Sequence, residues 1–291
     1  MYELEQVGAN TYIIKSPAMI GLYVENRAVT LIDSGNDKEA GRKINQHLTA
    51  NGWSLQAILN THSNADHIGG NAFLQQRTSC AIRSSGIENA FAQYPILEPS
   101  FLYGGFPPKA LRNKFLLAQP SQHVGDASEG LPVGFEIIPL PGHYFDMIGV
   151  RTPDDVLFLA DSLMGAHIIE KYHISFIYDV EQYLATLDRV EQMQARLFVP
   201  AHAEPTENTA PLVRVNRDKV REIIGLLLHL CETPRIAEEI VTLVFDHYGL
   251  TLDFNQYVLV GSTLRSYLSY LLDQGRLETQ FEGNRLLWKT V

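Results

Sequence analysis

Residues 61–71 place the strongest constraint on how this chain can fold. The segment reads Thr-His-Ser-Asn-Ala-Asp-His-Ile-Gly-Gly-Asn, so it carries His62, Asp66 and His67 within six residues. It follows an apolar run at residues 55–59 that is typical of a buried strand, and it precedes a predicted helix. Side chains at such a junction can converge on one point. Because borderline divalent metals prefer imidazole and carboxylate ligands, the segment predicts a metal site at a strand end.

Three further candidate ligands lie just beyond other apolar runs. They are His143 after residues 135–140, Asp161 after residues 156–160, and His202 after residues 197–199. Taken singly, each is more ordinarily a loop histidine or a helix-capping aspartate. The 61–71 segment and these three residues, in this order, favour one shared centre, because side chains at strand ends can converge.

Short strands alternate with helices over the first two hundred residues. Strands are predicted at residues 11–14, 21–25, 28–32, 55–59, 80–83, 135–140, 148–151, 156–160 and 197–200. Helices are predicted at residues 37–51, 71–76 and 180–194 from the spacing of their apolar positions. Gly52 is expected to end the first helix. This alternation predicts sheet layers covered by helices.

Residues 84–130 differ from the rest because aromatic residues stand among prolines and a Gly104-Gly105 pair. The aromatic residues are Phe91, Tyr94, Phe101, Tyr103, Phe106 and Phe115. A long, turn-rich stretch of this kind is a poor candidate for regular core and predicts an insertion that acts as a functional loop or lid. The alternative is a satellite hydrophobic cluster beneath an insertion.

The C-terminal part changes to a helical pattern from residue 211 onward. Helices are predicted at residues 213–230, from a Thr233-Pro234 cap to residue 247, and at residues 262–273. Two short strands at residues 276–279 and 286–289 flank Glu282-Gly283-Asn284, which is a hairpin turn signal. Helices followed by a two-stranded ribbon predict a small winged-helix-like module.

Size, cysteine content and charge narrow the function classes. A length of 291 residues suits one large domain and a small one. Only two cysteines, Cys80 and Cys231, and no basic-then-apolar start predict a cytoplasmic protein. No run reaches the roughly 18 apolar residues of a membrane span. The net charge of −10 argues against broad binding to nucleic acid or anionic membranes.

Together these motifs resemble those of the metallo-β-lactamase-fold hydrolases. The family motif is His-x-His-x-Asp-His, followed in order by a lone histidine, a bridging aspartate and a final histidine. The matching residues are His62, Asp66, His67, His143, Asp161 and His202, with Asp33 in the upstream Leu-Ile-Asp-Ser-Gly stretch. The match spans roughly residues 1 to 205.

The resemblance implies an α/β fold of four layers, an αββα sandwich with two mixed sheets facing each other. Together with the patterns above, it predicts a catalytic domain at residues 1–210, with the aromatic-rich insertion or lid at 84–130. Residues 211–291 are expected to form a small C-terminal winged-helix-like helical domain.

Asn64 departs from the family pattern, because it stands where the family has its second histidine. By resemblance, His62, residue 64 and His143 form a first metal site. A second site consists of Asp66, His67 and His202, with Asp161 bridging the two. An amide oxygen is a weak neutral ligand that suits harder cations better than zinc. We therefore expect the second site to bind tightly and the first weakly or not at all.

The resemblance also implies the chemistry of a metal-dependent hydrolase. A metal-activated water attacks an electrophilic carbonyl or phosphorus, and Asp66 both ligates metal and accepts or orients a proton. Zinc is the expected metal, as one or two ions, with iron and manganese as alternatives. Asp33 is expected to support the ligand loops rather than contact metal. Tyr144, Tyr172 and His173 are candidate substrate contacts, with solvent-facing loop aromatics as the alternative.

The narrower likeness is to glyoxalase II-like and β-lactamase-like-2 proteins, which indicates small esters, thioesters or lactones as substrates. A nuclease acting on RNA or DNA and a non-enzymatic regulator with a degenerate metal site are the two alternatives. Residues 205–291 hold nine basic and eleven acidic residues, which argues against a nucleic-acid partner. The C-terminal module is expected instead to pack, to form a homodimer or to cover the active site.

Overall fold

Two facing β-sheets make up the centre of the fold, in a computed structural model that describes residues 2–291. Within those residues, the first sheet has seven strands in chain order: β1 (Glu3–Gln6), β2 (Thr11–Lys15), β3 (Ile20–Glu25), β4 (Ala28–Ile32), β5 (Ser54–Leu59), β6 (Ala81–Ser84) and β7 (Val124–Asp126). The second sheet contains β8 (Glu136–Pro139), β9 (Ile148–Arg151), β10 (Val156–Met164) and β11 (Leu197–His202), in the order β11-β10-β9-β8. The strands predicted for the first two hundred residues are therefore confirmed, with β1 and β7 added.

Helices cover the outer faces of both sheets. In chain order, the helices of the described residues are α1 (Lys38–Asn51), α2 (Ala65–Ile68), α3 (Asn71–Thr78), α4 (Glu88–Gln93), α5 (Leu97–Tyr103), α6 (Ala166–Tyr172), α7 (Val180–Gln192), α8 (Ala210–Leu230), α9 (Ala237–Tyr248) and α10 (Phe254–Asp273). A short 3-10 helix lies at Lys109–Leu111, and a final hairpin pairs β12 (Leu277–Glu282) with β13 (Arg285–Thr290). Of the helices described between residues 2 and 291, none is both long and apolar enough to cross a membrane.

Helix α1 confirms both predicted ends of the first helix. The Asp37 side chain accepts hydrogen bonds from the backbone N–H groups of Glu39 and Ala40, at 2.9 and 3.1 Å, and so caps the first turn. Gly52 ends the helix with a left-handed φ of 65°.

Three apolar clusters show that the molecule is an αββα sandwich. Between the sheets, Ile32 and Leu59 pack in one cluster with Phe158 and Val199. Outside the first sheet, residues of α1 and α3 such as Ile44 and Leu74 pack on β4 and β5. Outside the second sheet, residues of α7 and α8 such as Leu187 and Ile223 pack with Leu157 and Leu159 of β10. The predicted fold class is confirmed.

Strand β10 is longer than predicted, and this changes the setting of Asp161. The strand was expected to end at Ala160 but continues to Met164, so Asp161 lies within it. Ala160 has a φ of 48°, and the pairing with β11 shifts register on both sides of it. Such a bulge redirects the side chains that follow. Pairing of Met164 with His202 brings the ends of β10 and β11 together.

Residues 84–130 are more regular than predicted. They contain α4, α5, the 3-10 helix and β7, which pairs in parallel with β6 and completes the first sheet. Leu102 and Leu111 are buried in a small cluster with Val258 of α10, as the satellite-cluster alternative requires. Phe106 and Phe115 remain largely exposed. The lid function of this segment stays a prediction.

The C-terminal helices begin elsewhere than predicted. Helix α9 starts at Ala237 rather than at the Thr233-Pro234 cap, because Arg235 exchanges two backbone hydrogen bonds with Trp288 of β13 and is held in extended conformation. Helix α10 starts at Phe254 rather than residue 262, with the Asp253 side chain capping the N–H of Gln256 at 2.8 Å. The hairpin is confirmed. The division at residue 210 and the winged-helix likeness stay predictions.

Gly142 lies just after the end of β8, and we expect its replacement to destabilise the fold strongly. Its φ is 121°, and a Cβ there would lie 2.3 Å from the backbone nitrogen of Tyr183 in α7. We expect Gly142→Ala to lower the free energy of unfolding by about 3 kcal/mol or more, because both backbone strain and a backbone clash result.

Gly52→Ala is the matched control, since Gly52 also has a positive φ but no atom beyond its own stretch of backbone lies within 4 Å of the position that a Cβ would take. That variant should lose only about 1 kcal/mol. Urea denaturation measures both values, and equal losses would contradict the role of the Tyr183 contact.

Candidate metal centre

Four histidines direct the same ring nitrogen toward a common point. In each ring Nδ1 is held by an oxygen outside the cluster: Thr61 Oγ1 for His62 (3.1 Å), Asp33 Oδ2 for His67 (2.8 Å), the Phe176 carbonyl for His143 (2.9 Å) and the Pro17 carbonyl for His202 (3.1 Å). In the neutral ring, which is the form that binds a metal, hydrogen bonding of Nδ1–H to an outer oxygen leaves the lone pair on Nε2. The four Nε2 atoms are thereby presented inward.

The possible ligand atoms fall into two groups. His62, His143 and Asp161 form one group, and Asp66, His67 and His202 form the other, with the ligand atoms of each group within 4.8 Å of one another. All six predicted ligands are therefore brought together by the fold.

Asp161 lies between the two groups. Its carboxylate oxygens are 3.0 Å from His67 Nε2, 3.2 Å from His202 Nε2 and 3.5 Å from His143 Nε2. A carboxylate in contact with imidazoles of both groups has the position that a bridging ligand requires.

The chemistry of this donor set fits a divalent metal. His62 Nε2, His67 Nε2 and Asp161 Oδ1 are buried, and within the part of the chain that the structure describes they have no hydrogen-bond partner. A buried polar atom without a partner is costly, and divalent cations held by the two groups would satisfy these three atoms.

Asp33 supports the ligands from behind. It follows β4, and its carboxylate accepts hydrogen bonds from the N–H and Oγ1 of Thr61, at 2.8 and 2.7 Å, and from Nδ1 of His67. The carboxylate thus fixes the start of the 61–71 segment and the ring of one ligand. Its predicted position behind the ligands agrees with these contacts, while its effect on metal binding stays a prediction.

Asn64 connects the first group to a residue that the sequence did not indicate. Its amide oxygen is 3.1 Å from Nε2 of His143, and its amide nitrogen donates to Oε1 of Glu98 at 2.9 Å. The amide oxygen therefore faces the ligands, on the side where the family motif has a histidine.

Glu88 and Glu98 are two buried carboxylates that sequence reasoning missed. Glu88 accepts hydrogen bonds from the N–H and Oγ of Ser63 and from the N–H of Asp146, so it ties the ligand segment to the loop after His143. The only sequence signal was a single acidic residue within each of two apolar runs of the 84–130 segment. An acidic residue at an exposed helix position gives the same pattern, so the sequence does not distinguish a buried glutamate from an exposed one.

The charges of the cluster shift its pKa values in opposite directions. Burial alone would lower the pKa of His202, but Asp161 and Asp66 outweigh it and raise that pKa to about 10. Burial would raise the pKa of Asp161, yet the imidazoles of His202, His67 and His143 lower it well below its usual range. Burial lowers the pKa of His62 well below its usual range, and the neighbouring His67 adds to this.

The cluster opens to solvent on one side. The Asp66 side chain is 41% exposed and that of His202 is 17% exposed, whereas His67 and Asp161 are exposed by 5% or less. A substrate can therefore approach the centre from the Asp66 and His202 side.

The three predicted substrate contacts occupy different positions. Tyr144 is fully buried, with its ring 5.9 Å from that of His62. Tyr172 is 41% exposed at the end of α6. His173 stacks on Tyr248 of α9 at 4.5 Å between ring centroids. Substrate contact by these residues stays a prediction, and for Tyr144 it would require movement of the surrounding core.

Comparison with known proteins agrees with this geometry. Residues 13–202 match the family model described as the metallo-beta-lactamase superfamily. The chain is 24% identical to the "Probable metallo-hydrolase YqjP" of Bacillus subtilis (strain 168), with 92% of each chain covered. It is 27% identical over 144 residues to the "Hydroxyacylglutathione hydrolase" of Pseudomonas entomophila (strain L48), covering 48% of this chain and 45% of that protein.

Two solved structures share the fold over nearly the whole chain. A metallo-beta-lactamase family protein from Thermus thermophilus has a TM-score of 0.76 at 18% identity, covering 97% of this chain and 99% of the other. A beta-lactamase domain protein from Burkholderia ambifaria has a TM-score of 0.79 at 17% identity, covering 99% and 94%.

Glu88 provides a test of how the ligand segment is held. Burial raises its pKa to about 7, although hydrogen bonds from Ser63 oppose the shift. The folded state then binds the proton more tightly than the unfolded state, so the contribution of Glu88 to stability is present at low pH and is lost between about pH 4.5 and 7. The difference in free energy of unfolding between the wild type and Glu88→Gln should fall by up to about 1.4 kcal/mol per pH unit in that window.

Denaturation at a series of pH values, with metal content held constant, measures this difference, and the contributions of the other titrating groups cancel in it. Glu39→Gln, at an exposed helix position, is the control for the effect of a Glu-to-Gln substitution itself. A constant difference from pH 4.5 to 7 would mean that Glu88 stays ionised in the folded chain.

Proposed function

Because the chain belongs to the metallo-beta-lactamase superfamily and is a metal-dependent hydrolase, we propose that it cleaves small esters, thioesters or lactones at the centre formed by the six histidine and aspartate ligands. The convergence of four Nε2 atoms and two carboxylates on a point that opens beside Asp66 carries this proposal.

We assign the metal ligands in two sets. Asp66, His67 and His202 would hold one cation, His62 and His143 with Asn64 a second, and Asp161 would bridge them. Zinc suits these imidazole and carboxylate ligands best. A bound divalent cation supplies Lewis-acid activation of both a water molecule and the scissile carbonyl group.

Asp66 has the position of the proton acceptor. Its carboxylate is exposed to the solvent side and lies 3.4 Å from Nε2 of His202. Partial burial would raise the pKa of Asp66, but the imidazoles of His67 and His202 outweigh it and lower that pKa, so the carboxylate is ionised at neutral pH. It can therefore orient an attacking water molecule and take up its proton. Asp161, buried behind it, contacts imidazoles of both sets.

The relatives support a thioester within this substrate class. One relative bears the name hydroxyacylglutathione hydrolase, and the matching region includes about half of this chain. The substrate of such an enzyme is an acyl group joined to a thiol. A small acyl thioester is therefore the first substrate to test.

We further propose that helices α8 to α10 serve this centre by packing. The buried Asn216 of α8 accepts a hydrogen bond from the N–H of Met164 at 3.0 Å and donates to the Met164 carbonyl at 2.9 Å. It also accepts from the hydroxyl of Tyr183 at 3.1 Å. These contacts join the C-terminal helices to the end of β10, the strand that carries Asp161, and favour a supporting role for residues 211–291.

Hydrolysis of S-acyl thioesters by the zinc-loaded protein is the direct test. We expect release of free thiol, its loss after chelation, and its return on addition of zinc. Asp66→Asn should lower kcat about 100-fold or more, because the variant loses both the proton acceptor and a charged ligand of the Asp66, His67 and His202 set. Glu204→Gln, an exposed carboxylate two residues beyond His202, is the matched control and should retain activity.

Esters, lactones and short RNA complete the substrate series. Cleavage of RNA with no activity toward any acyl substrate would contradict the proposed substrate class and favour the nuclease alternative. A protein that binds no metal after reconstitution and hydrolyses none of these compounds would favour the regulator alternative.

Asn64 provides a separate test of the two ligand sets. After dialysis against low-micromolar zinc, we expect about one metal atom per wild-type chain, because an amide oxygen is a weaker zinc ligand than imidazole. Asn64→His should raise the metal content toward two atoms per chain. Elemental analysis measures both, and an unchanged stoichiometry would show that residue 64 does not limit the first set.

A further inference from the structure

The amide of Asn64 stands between two groups that compete for it. His143 Nε2 lies 3.1 Å from the amide oxygen, and Glu98 Oε1 accepts a hydrogen bond from the amide nitrogen at 2.9 Å. An amide can rotate by half a turn and exchange its oxygen and nitrogen at little cost in shape. The partners of the amide therefore decide which end faces the metal ligands.

His143 by itself would favour the opposite orientation. Its Nδ1 lies 2.9 Å from the Phe176 carbonyl and donates to it, so Nε2 of the neutral ring is an acceptor. An acceptor nitrogen would form a hydrogen bond with the NH2 end of Asn64. Instead, His143 Nε2 faces the amide oxygen of Asn64, which is also an acceptor and has no hydrogen to donate. Without a cation, the contact between the Asn64 amide oxygen and His143 Nε2 is unfavourable. The orientation of the amide must therefore be maintained by the partner of its nitrogen, which is Glu98.

We propose that Glu98 is a positioning residue, which holds the Asn64 amide so that its oxygen faces the first set of metal ligands. The inference rests on the proposed metal centre. It concerns position 64, where the family motif has a histidine and this chain has an asparagine.

The surroundings of Glu98 agree with this role. The residue is 3% exposed on α5, and among the residues that the structure describes no basic side chain forms an ion pair with it. Its Oε1 faces the amide nitrogen of Asn64 and accepts the N–H at 2.9 Å, which selects the NH2 end of the amide. Burial raises the pKa of Glu98 well above its usual range, although the hydrogen bond from Asn64 opposes the shift, and cations bound nearby would favour the ionised form, which only accepts hydrogen bonds. Two lone pairs, of Asn64 Oδ1 and His143 Nε2, then face the same space as the unpartnered His62 Nε2. A cation satisfies all three atoms.

This orientation gives the first set an oxygen ligand from Asn64, in the place where the family motif has a histidine. The first set then contains two imidazoles, an amide oxygen and the shared carboxylate of Asp161. If the amide turned over, its NH2 group would face the cation and the set would lose a ligand. Glu98 should therefore affect the weaker metal equivalent and leave the tighter one unchanged.

The test compares Glu98→Gln in two backgrounds, with cobalt(II) as the metal. A chromophoric chelator in competition gives the affinity of each equivalent, and the visible absorption of cobalt reports its coordination. In the wild-type background, Glu98→Gln should weaken binding of the second cobalt equivalent, which is expected at the first set of ligands, about tenfold or more. The reason is that the new side-chain amide at position 98 can pair with either orientation of the Asn64 amide. The unchanged first equivalent serves as the internal control of folding.

The Asn64→Asp background should reverse the sign of the effect. A carboxylate at position 64 has two equivalent oxygens and needs no orientation, and it would repel the Glu98 carboxylate. Adding Glu98→Gln should then strengthen the second equivalent. A merely structural role of Glu98 would instead weaken it in both backgrounds.

Several results would overturn the proposal. They are equal losses in the two backgrounds, no change in the wild-type background, or a single cobalt equivalent at every concentration. Glu98→Met, which keeps the chain length and removes the acceptor, should reproduce the loss if Glu98→Gln folds poorly. None of these readouts uses hydrolysis, so failure of the proposed substrate class would leave this test intact.

Discussion

The buried carboxylate of Asp161 is the constraint on which the centre depends. It contacts imidazoles from three separate parts of the chain, and those imidazoles lower its pKa against the effect of burial. A buried charge of this kind is tolerated only where partners of opposite charge or a cation are held in place. The bulge at Ala160 directs the carboxylate toward the junction, and the neighbouring end of β11 supplies one of its partners.

A second layer of oxygens makes that arrangement rigid. Every inward-facing imidazole is anchored at Nδ1 by an oxygen, and Asp33, Glu88 and Glu98 are the three carboxylates that hold the 61–71 segment from behind. Fixing ligands through their outer atoms preorganises a site for a metal and for the reaction it supports. The 84–130 segment contributes two of these carboxylates, which links an apparently peripheral insertion to the centre.

Much of the fold could be predicted because local patterns and tertiary packing agree. The caps of α1 and the apolar strands of the sandwich are examples in which capping chemistry and periodicity were sufficient. The errors arose where distant contacts override local preference. Arg235 is extended because it pairs with Trp288, which delays α9, and β10 continues past Ala160 because β11 pairs with it beyond the bulge. Periodicity cannot report either contact, since both partners lie far away in sequence.

The sequence by itself determined the candidate metal-ligand types, their order and the superfamily likeness, because those depend on residue identity and spacing along the chain. Only the tertiary structure decided which atoms meet: that Nε2 rather than Nδ1 of each histidine faces inward, and that Asp161 lies between two sets. It also decided that Glu98 meets Asn64 across 34 residues of sequence. The physical reason is that hydrogen bonds and buried charges depend on distances of a few ångströms, which arise when separate strands and helices pack together.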